Sequence, residues 1–210
     1  MRNITAKAVG DNCIRKVNHV GKIIVIDTET VTGTYGLLSV GAVVLERDGH
    51  KITPLDTYFG FSDEFEYGFY FAQQNAYAKQ NSVRRKPRRE IEEELADLTR
   101  RYDVNEAFAY NARFDKTVIR AYMPTLQFSW YDLMKPARQI LASAEHYPKY
   151  KRMHPYIELT RGGILKRGYS VECVGCYLGL PHETHVAIED AQMETEIAVR
   201  LGLFGCASVC

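Results

Sequence analysis

Four acidic residues in three separated places carry the chemical signal of this 210-residue chain: Asp27 and Glu29 in IIVIDTET, Asp115 in AYNARFDKTVI, and Asp190 in HVAIEDAQMETE. Each lies in, or just after, a segment patterned to be folded and apolar, where a lone carboxylate is costly to desolvate without a partner. A metal site would account for all four together. Carboxylate oxygens suit hard divalent cations such as Mg²⁺ or Mn²⁺.

The elements that must position these side chains can be read from pattern. Ile23, Ile24, Val25 and Ile26 form a continuous apolar run, so Lys22 to Ile26 reads as a buried strand. Asp27 and Glu29 stand two apart at its end and share a face if the strand continues. Taken alone, such a DxE also reads as a strand running into a polar turn. Ala107 to Tyr110 makes a second short strand, ended by Asn111 as a turn or helix cap. Phe114, Val118, Ile119 and Tyr122 then recur at helical spacing until Pro124, which puts Asp115 in a first turn, where the helix dipole also favours an acid.

The third segment supplies a carboxylate and a base. Gly179 to Thr184 reads as a loop, and from about Val186 a long amphipathic helix carries Met193, Ile197, Leu201 and Phe204 on one side, with Asp190 in its early turns. His185 precedes Asp190 by five positions, about 140° out of phase on a regular helix. Both face one site only if His185 lies on the entering loop. A histidine there is a candidate general base, because its unperturbed pKa is near neutrality.

In order and spacing, these residues resemble the DEDD exonucleases, in particular the histidine-bearing, DnaQ-like 3′-to-5′ subgroup (DEDDh). The resemblance rests on IIVIDTET, on NARFD after a strand, and on HVAIEDA with four residues between His185 and Asp190. YDLMKPARQIL resembles the family's strand-end Asp followed by a helix, and YSVECVGCYLGL its short helix before the histidine loop. It covers roughly Lys22 to Leu203. It implies a ribonuclease H-like α/β fold, a mixed five-stranded sheet flanked by helices, with an exonuclease domain over 22–204 between a lead segment (1–21) and a tail (205–210). It further implies that Asp27, Glu29, Asp115 and Asp190 hold two Mg²⁺ or Mn²⁺ ions, that Glu29 bridges both, and that His185 takes the proton from the attacking water. The implied products are nucleoside 5′-monophosphates released from a 3′ end, with Thr30, Tyr35 and Leu37 as candidate contacts to the terminal nucleotide. The family's HGI-type segment is not found here.

The implied partner is nucleic acid, DNA or RNA, with a single-stranded or frayed 3′ end; a homodimer or a polymerase partner stays open. A non-catalytic nucleic-acid-binding or interaction module that has kept the fold is the alternative. No GxxxxGK loop points to ATP chemistry and no GxSxG elbow to a serine nucleophile.

Composition is compatible with this and does not discriminate. With 46% hydrophobic residues the chain supports one globular core, and a formal charge of +1 does not advertise a nucleic-acid binder. No long apolar span appears, so no membrane association and a cytoplasmic location are expected. Five cysteines point to reduced thiols, and the Cys173/Cys176 pair falls in a helix expected from Ser170 as cap to Gly179 as terminator, without a second ligand pair to complete a zinc site.

Further strands are expected at Leu37 to Leu45 and Lys51 to Phe59, antiparallel through Asp48 and Gly49, and at Leu126 to Tyr131. A helix is expected from about Pro87 to Tyr102, and three more after the last strand. Two stretches stand apart. Phe59 to Pro87 is rich in aromatics and ends in Arg84, Arg85, Lys86, Arg88 and Arg89, a composition suited either to local packing or to a single strand. Glu145 to Gly168 reads as a polar connection without structure of its own.

Overall fold

The computed structural model describes residues 20–31, 36–49, 51–205 and 208–209. Three long strands, β1 (Gly21–Thr30), β2 (Leu37–Asp48) and β3 (Lys51–Phe61), form an antiparallel meander. Helices α1 (Phe71–Gln80) and α2 (Arg88–Tyr102) follow, then β4 (Glu106–Ala109), α3 (Arg113–Tyr122) and β5 (Ser129–Asp132). The chain continues through α4 (Met134–Leu141), α5 (Tyr147–Met153), α6 (Val171–Leu178) and α7 (Ala187–Arg200), and a final pair, β6 (Ser208–Val209), adds to the far edge. The sheet order is β3-β2-β1-β4-β5-β6, with β4 parallel to β1 and to β5. The expected five-stranded mixed sheet is present, widened by β6, which pairs antiparallel with β5 from within the segment expected to be tail.

Strand alternation splits the core in two. Ile24, Ile26, Val40, Ala42 and Val44 point to the side covered by α2 and α3, where Ile91, Leu95, Val118 and Ile119 meet them. Ile23, Val25, Val43 and Leu45 point to the other side, covered by α4 to α7. Asp27 and Glu29 continue this odd-numbered series and so face α7. Pairing of β1 with β2 is regular to Glu29 and shifts register there, a bulge beside the carboxylate.

Helix α7 packs on the sheet with Ala187, Ile188, Ala191, Ile197 and Ala198 buried. Burying a side chain such as Ile197 contributes about 2 kcal/mol. It comes very close to the sheet at Gly41, the cross-strand partner of Asp27: a Cβ there would overlap the backbone carbonyl of Ala187. Glycine at this position lets the start of α7 lie directly on β2.

Several boundaries differ from those expected. β1 runs past Ile26, so the DxE lies within the strand, and β5 begins at Ser129 rather than Leu126. Pro87 precedes α2 with an extended ψ of 143° instead of entering its first turn. Helix α1 has no counterpart in the expected elements, and among the described residues four α-helices and a 3₁₀ turn (Leu203–Gly205), rather than three helices, follow β5. The Glu145 to Gly168 connection is structured. It contains α5, Tyr150 is fully buried in the α4–α7 core, and Leu159 bridges Leu165. Ile157 and Leu165 of the same segment are fully buried in that core as well. Helix α6 matches expectation: the Ser170 hydroxyl accepts from the Cys173 amide at 3.3 Å, and Gly179 ends the helix at φ 72°. Cys173 Sγ lies 3.0 Å from the Tyr156 hydroxyl, and Cys176 is exposed. Among the described residues, no helix is long and apolar enough to cross a membrane.

Candidate active site

The end of β1, the first turn of α3 and the first turns of α7 converge. Asp115, 2% exposed, is fixed by the strand: its Oδ1 accepts from the Thr28 amide at 3.0 Å and from the Thr28 hydroxyl at 2.8 Å. Thr28, lying between Asp27 and Glu29, thereby ties residues 87 positions apart. Asn111 makes the connection possible by adopting φ 70° at the end of β4, a left-handed conformation that asparagine tolerates well.

Asp190 is 3% exposed, and its Oδ1 accepts from the Thr184 amide at 3.3 Å. His185 lies on the loop before α7, as its phase required, with φ 56°. Its Nδ1 is 3.9 Å from Glu29 Oε1 and 3.9 Å from Glu183 Oε1. One ligand atom each from Glu29, His185 and Asp190 lie within 4.8 Å of one another. Asp27 and Asp115 adjoin this cluster and interact with it electrostatically.

These acids are crowded and shielded from water. Burial, then Asp190, Glu183 and Asp115, push Glu29 up to about 8. Burial pushes Asp115 up to about 7 against the opposing hydrogen bonds from Thr28. Asp190 also reaches about 7, through burial and then Glu183, eased by the Thr184 amide. Asp27 is driven well above the ordinary carboxylate range by burial and then by Glu194 and Asp115. Asp27 Oδ2 and Asp190 Oδ2 are occluded and make no hydrogen bond among the described residues. An all-carboxylate oxygen set with two such atoms fits hard divalent cations, which would supply the missing partners.

Some neighbours of the site were not found in the sequence. Glu194, 2% exposed, lies one turn beyond Asp190 and accepts from the Tyr110 amide at 3.0 Å, securing the end of β4 beside Asp27. Its signal was an acid at i+4 from Asp190, next to Met193 of the apolar stripe. Tyr70 stacks on the His185 ring, and Gln74 donates to the His185 carbonyl. Nothing in the aromatic run marked either one. Of the candidate nucleotide contacts, Thr30 is half-buried at the end of β1, Leu37 is buried in the α2–α3 core, and Tyr35 lies outside the described residues.

The basic cluster leading into and opening α2 is ion-paired or laid over aromatic rings. Arg84 pairs with Glu90, Lys86 with Glu94 at 2.6 Å, and Arg89 with Glu93 at 2.7 Å. Arg85 sits over the rings of Phe61 and Phe71 and pairs with Glu66 at 3.3 Å, while Arg88 lies over Tyr122.

No protein-family model and no curated protein matches the sequence. Solved structures do match. A structure described as 3′-end specific recognition of histone mRNA stem-loop by 3′-exonuclease aligns with 91% of this chain and 86% of its own, at TM-score 0.59 and 12% identity. The nuclease domain of 3′hExo, a DEDDh family member bound to rAMP, aligns over 91% of this chain and 97% of its own, at TM-score 0.57 and 12% identity. Cell-death related nuclease 4 (CRN-4) aligns over 90% of this chain and 66% of its own, at TM-score 0.56 and 13% identity. The chain therefore has the ribonuclease H-like α/β fold of the DEDDh exonucleases.

Proposed function

We propose that this chain is a metal-dependent 3′-to-5′ exonuclease that hydrolyses phosphodiester bonds at nucleic-acid 3′ ends and releases nucleoside 5′-monophosphates. The observation that carries the reading is the cluster of Glu29, Asp190 and His185, with Asp27 and Asp115 adjoining it and the Oδ2 atoms of Asp27 and Asp190 occluded without hydrogen bonds among the described residues. Acids so placed repel one another, and a fold gains nothing from assembling them unless cations join them.

In this reading Asp27, Glu29, Asp115 and Asp190 would hold two Mg²⁺ or Mn²⁺ ions. Bound there, the ions supply Lewis-acid stabilisation of charge developing on phosphate oxygens and acidify the attacking water. His185 accepts the water's proton, its ring held from one side by Tyr70 and its backbone by Gln74. Thr28 keeps Asp115 from rotating away, so one carboxylate oxygen remains for ligation. The partner is the 3′ end of a nucleic-acid strand, a reading supported by the rAMP and stem-loop RNA named for the structural neighbours.

The test is mononucleotide release from matched DNA and RNA oligomers with free and blocked 3′ ends, in Mn²⁺. Asp27→Ala should abolish release from free 3′ ends. Strand binding by the unaltered protein with no release in any metal would instead favour the non-catalytic module.

A further inference from the structure

The segment between α5 and α6 presents two cations that the fold scarcely uses. Its strap over residues 165–169 is clamped by its carbonyls. Arg138 donates from Nε and Nη2 to Leu165 at 2.9 and 2.7 Å, the Tyr150 hydroxyl donates to Gly168, and the Tyr110 hydroxyl donates to Tyr169 at 2.7 Å. Gly168 takes φ 70°, and a Cβ there would overlap the Ile157 side chain, so the strap lies tight against the core. Lys166 and Arg167 extend from it into water. Lys166 pairs with Glu158 at 3.3 Å, an exposed ion pair of a kind that contributes little, and Arg167 forms no ion pair among the described residues. Both line a cleft of about 650 Å³ whose walls also include Asn111, Tyr156 and Glu183. Asn111 leads into α3 and Asp115, and Glu183 Oε1 is 3.9 Å from His185 Nδ1, so the cleft runs up to the candidate active site.

Taking the proposed nuclease reading as its basis, we propose that Lys166 and Arg167 form a subsite for a backbone phosphate of the strand whose 3′ end occupies the site, so that strands long enough to reach it are favoured over dinucleotides. Any phosphate beyond the scissile one lies to its 5′ side, and the cleft is where the chain offers it positive charge. A guanidinium matches two phosphate oxygens at once, and the lysine adds a point charge beside it. Glu183 is the acid among the lining residues, set against these two cations. Because the backbone beneath Lys166 and Arg167 is already clamped, binding has only their side chains to order.

Fluorescence anisotropy with labelled single strands of increasing length, from the dinucleotide upward, tests this on the full chain with Ca²⁺ in place of Mn²⁺. Affinity should step up at the length that reaches the cleft. Arg167→Ala should weaken binding of the longer strands about tenfold and flatten the slope of log K against log salt by about 0.7, while Arg167→Lys restores most of that slope. Arg161→Ala, on the exposed turn of the same segment and outside the cleft, controls for bulk charge and should bind as the unaltered protein does. Unchanged affinity and slope when Lys166 and Arg167 are both replaced by alanine, an equal loss in Arg161→Ala, or no strand binding by the unaltered protein overturns the subsite. Mononucleotide release in Mn²⁺ together with undiminished binding by the double variant keeps the nuclease reading and overturns the subsite. Arg167-dependent binding without release upholds the subsite while defeating the nuclease reading. Matched thermal melts verify that the variants, altered at exposed positions, are folded.

Discussion

Tyr70 lies nearly flat against His185, their ring centroids 4.0 Å apart and their planes 22° from parallel. One turn further along, Gln74 donates to the carbonyl of the same histidine, whose backbone is left-handed. A loop residue in an uncommon conformation is thereby gripped at ring and backbone by an element from elsewhere in the chain. Loss of the ring contact should cost orientation of the base, not binding of the substrate. Tyr70→Ala is expected to lower kcat about tenfold or more with little change in KM, and Tyr70→Phe to restore it. A rise in KM at unchanged kcat would instead make Tyr70 a substrate contact.

Glu29, His185 and Asp190 cluster closely enough for the imidazole itself to be a ligand, so base and ligand roles need separating. His185→Ala should lower turnover by on the order of 10²- to 10⁴-fold and leave Mn²⁺ affinity nearly intact. Asp190→Ala should lose both. His182, exposed beside Glu172, is the internal control, and its alanine variant should keep most activity. Calorimetric titration of Mn²⁺ into the three variants decides between the roles.

The raised carboxylates fix the direction of pH dependence. Glu29 at about 8 and Asp115 and Asp190 at about 7 bind protons more tightly folded than unfolded. In the metal-free protein their contribution to stability is present below the unfolded pKa, about 4, and is lost as pH rises through 7 to 8. The metal-free Tm should therefore fall between about pH 5.5 and pH 8.5. Divalent ions compete with those protons, so Mn²⁺ should raise Tm more at the higher pH. Scanning calorimetry with and without Mn²⁺ measures both; an Mn²⁺ effect larger at the acid end would contradict the assignment.

Gly41 lets α7 approach β2 opposite Asp27, because a Cβ there meets the Ala187 backbone and not a side chain that can swing aside. Gly41→Ala should destabilise the protein by about 1–3 kcal/mol. It should also displace the start of α7, and with it His185 and Asp190, so activity should fall even at temperatures where the variant is folded. Denaturant unfolding and turnover on the same preparation test the pair of effects. Normal turnover in the folded variant would show that α7 tolerates the shift.

Local pattern determined much of this protein without reference to its tertiary structure. The apolar run before Asp27, the helical spacing around Asp115, and the Ser170 and Gly179 caps are short-range properties, readable because backbone periodicity and capping act within a few residues. Phase allowed His185 and Asp190 to face one site only if His185 lay outside the helix that carries Asp190, and it does. What the fold decided were pairings across long stretches of chain, which no window of sequence contains. Thr28 meets Asp115, Glu194 meets the amide of Tyr110, and Tyr70 finds His185. Tyr150, Ile157 and Leu165 make a polar-looking connection a packed one, because three side chains spread through it are fully buried in the α4–α7 core while its charged residues stay at the surface. Residue types thus specified which chemistry was on offer, and packing of α7 and α1 against the sheet decided which side chains stand together to perform it.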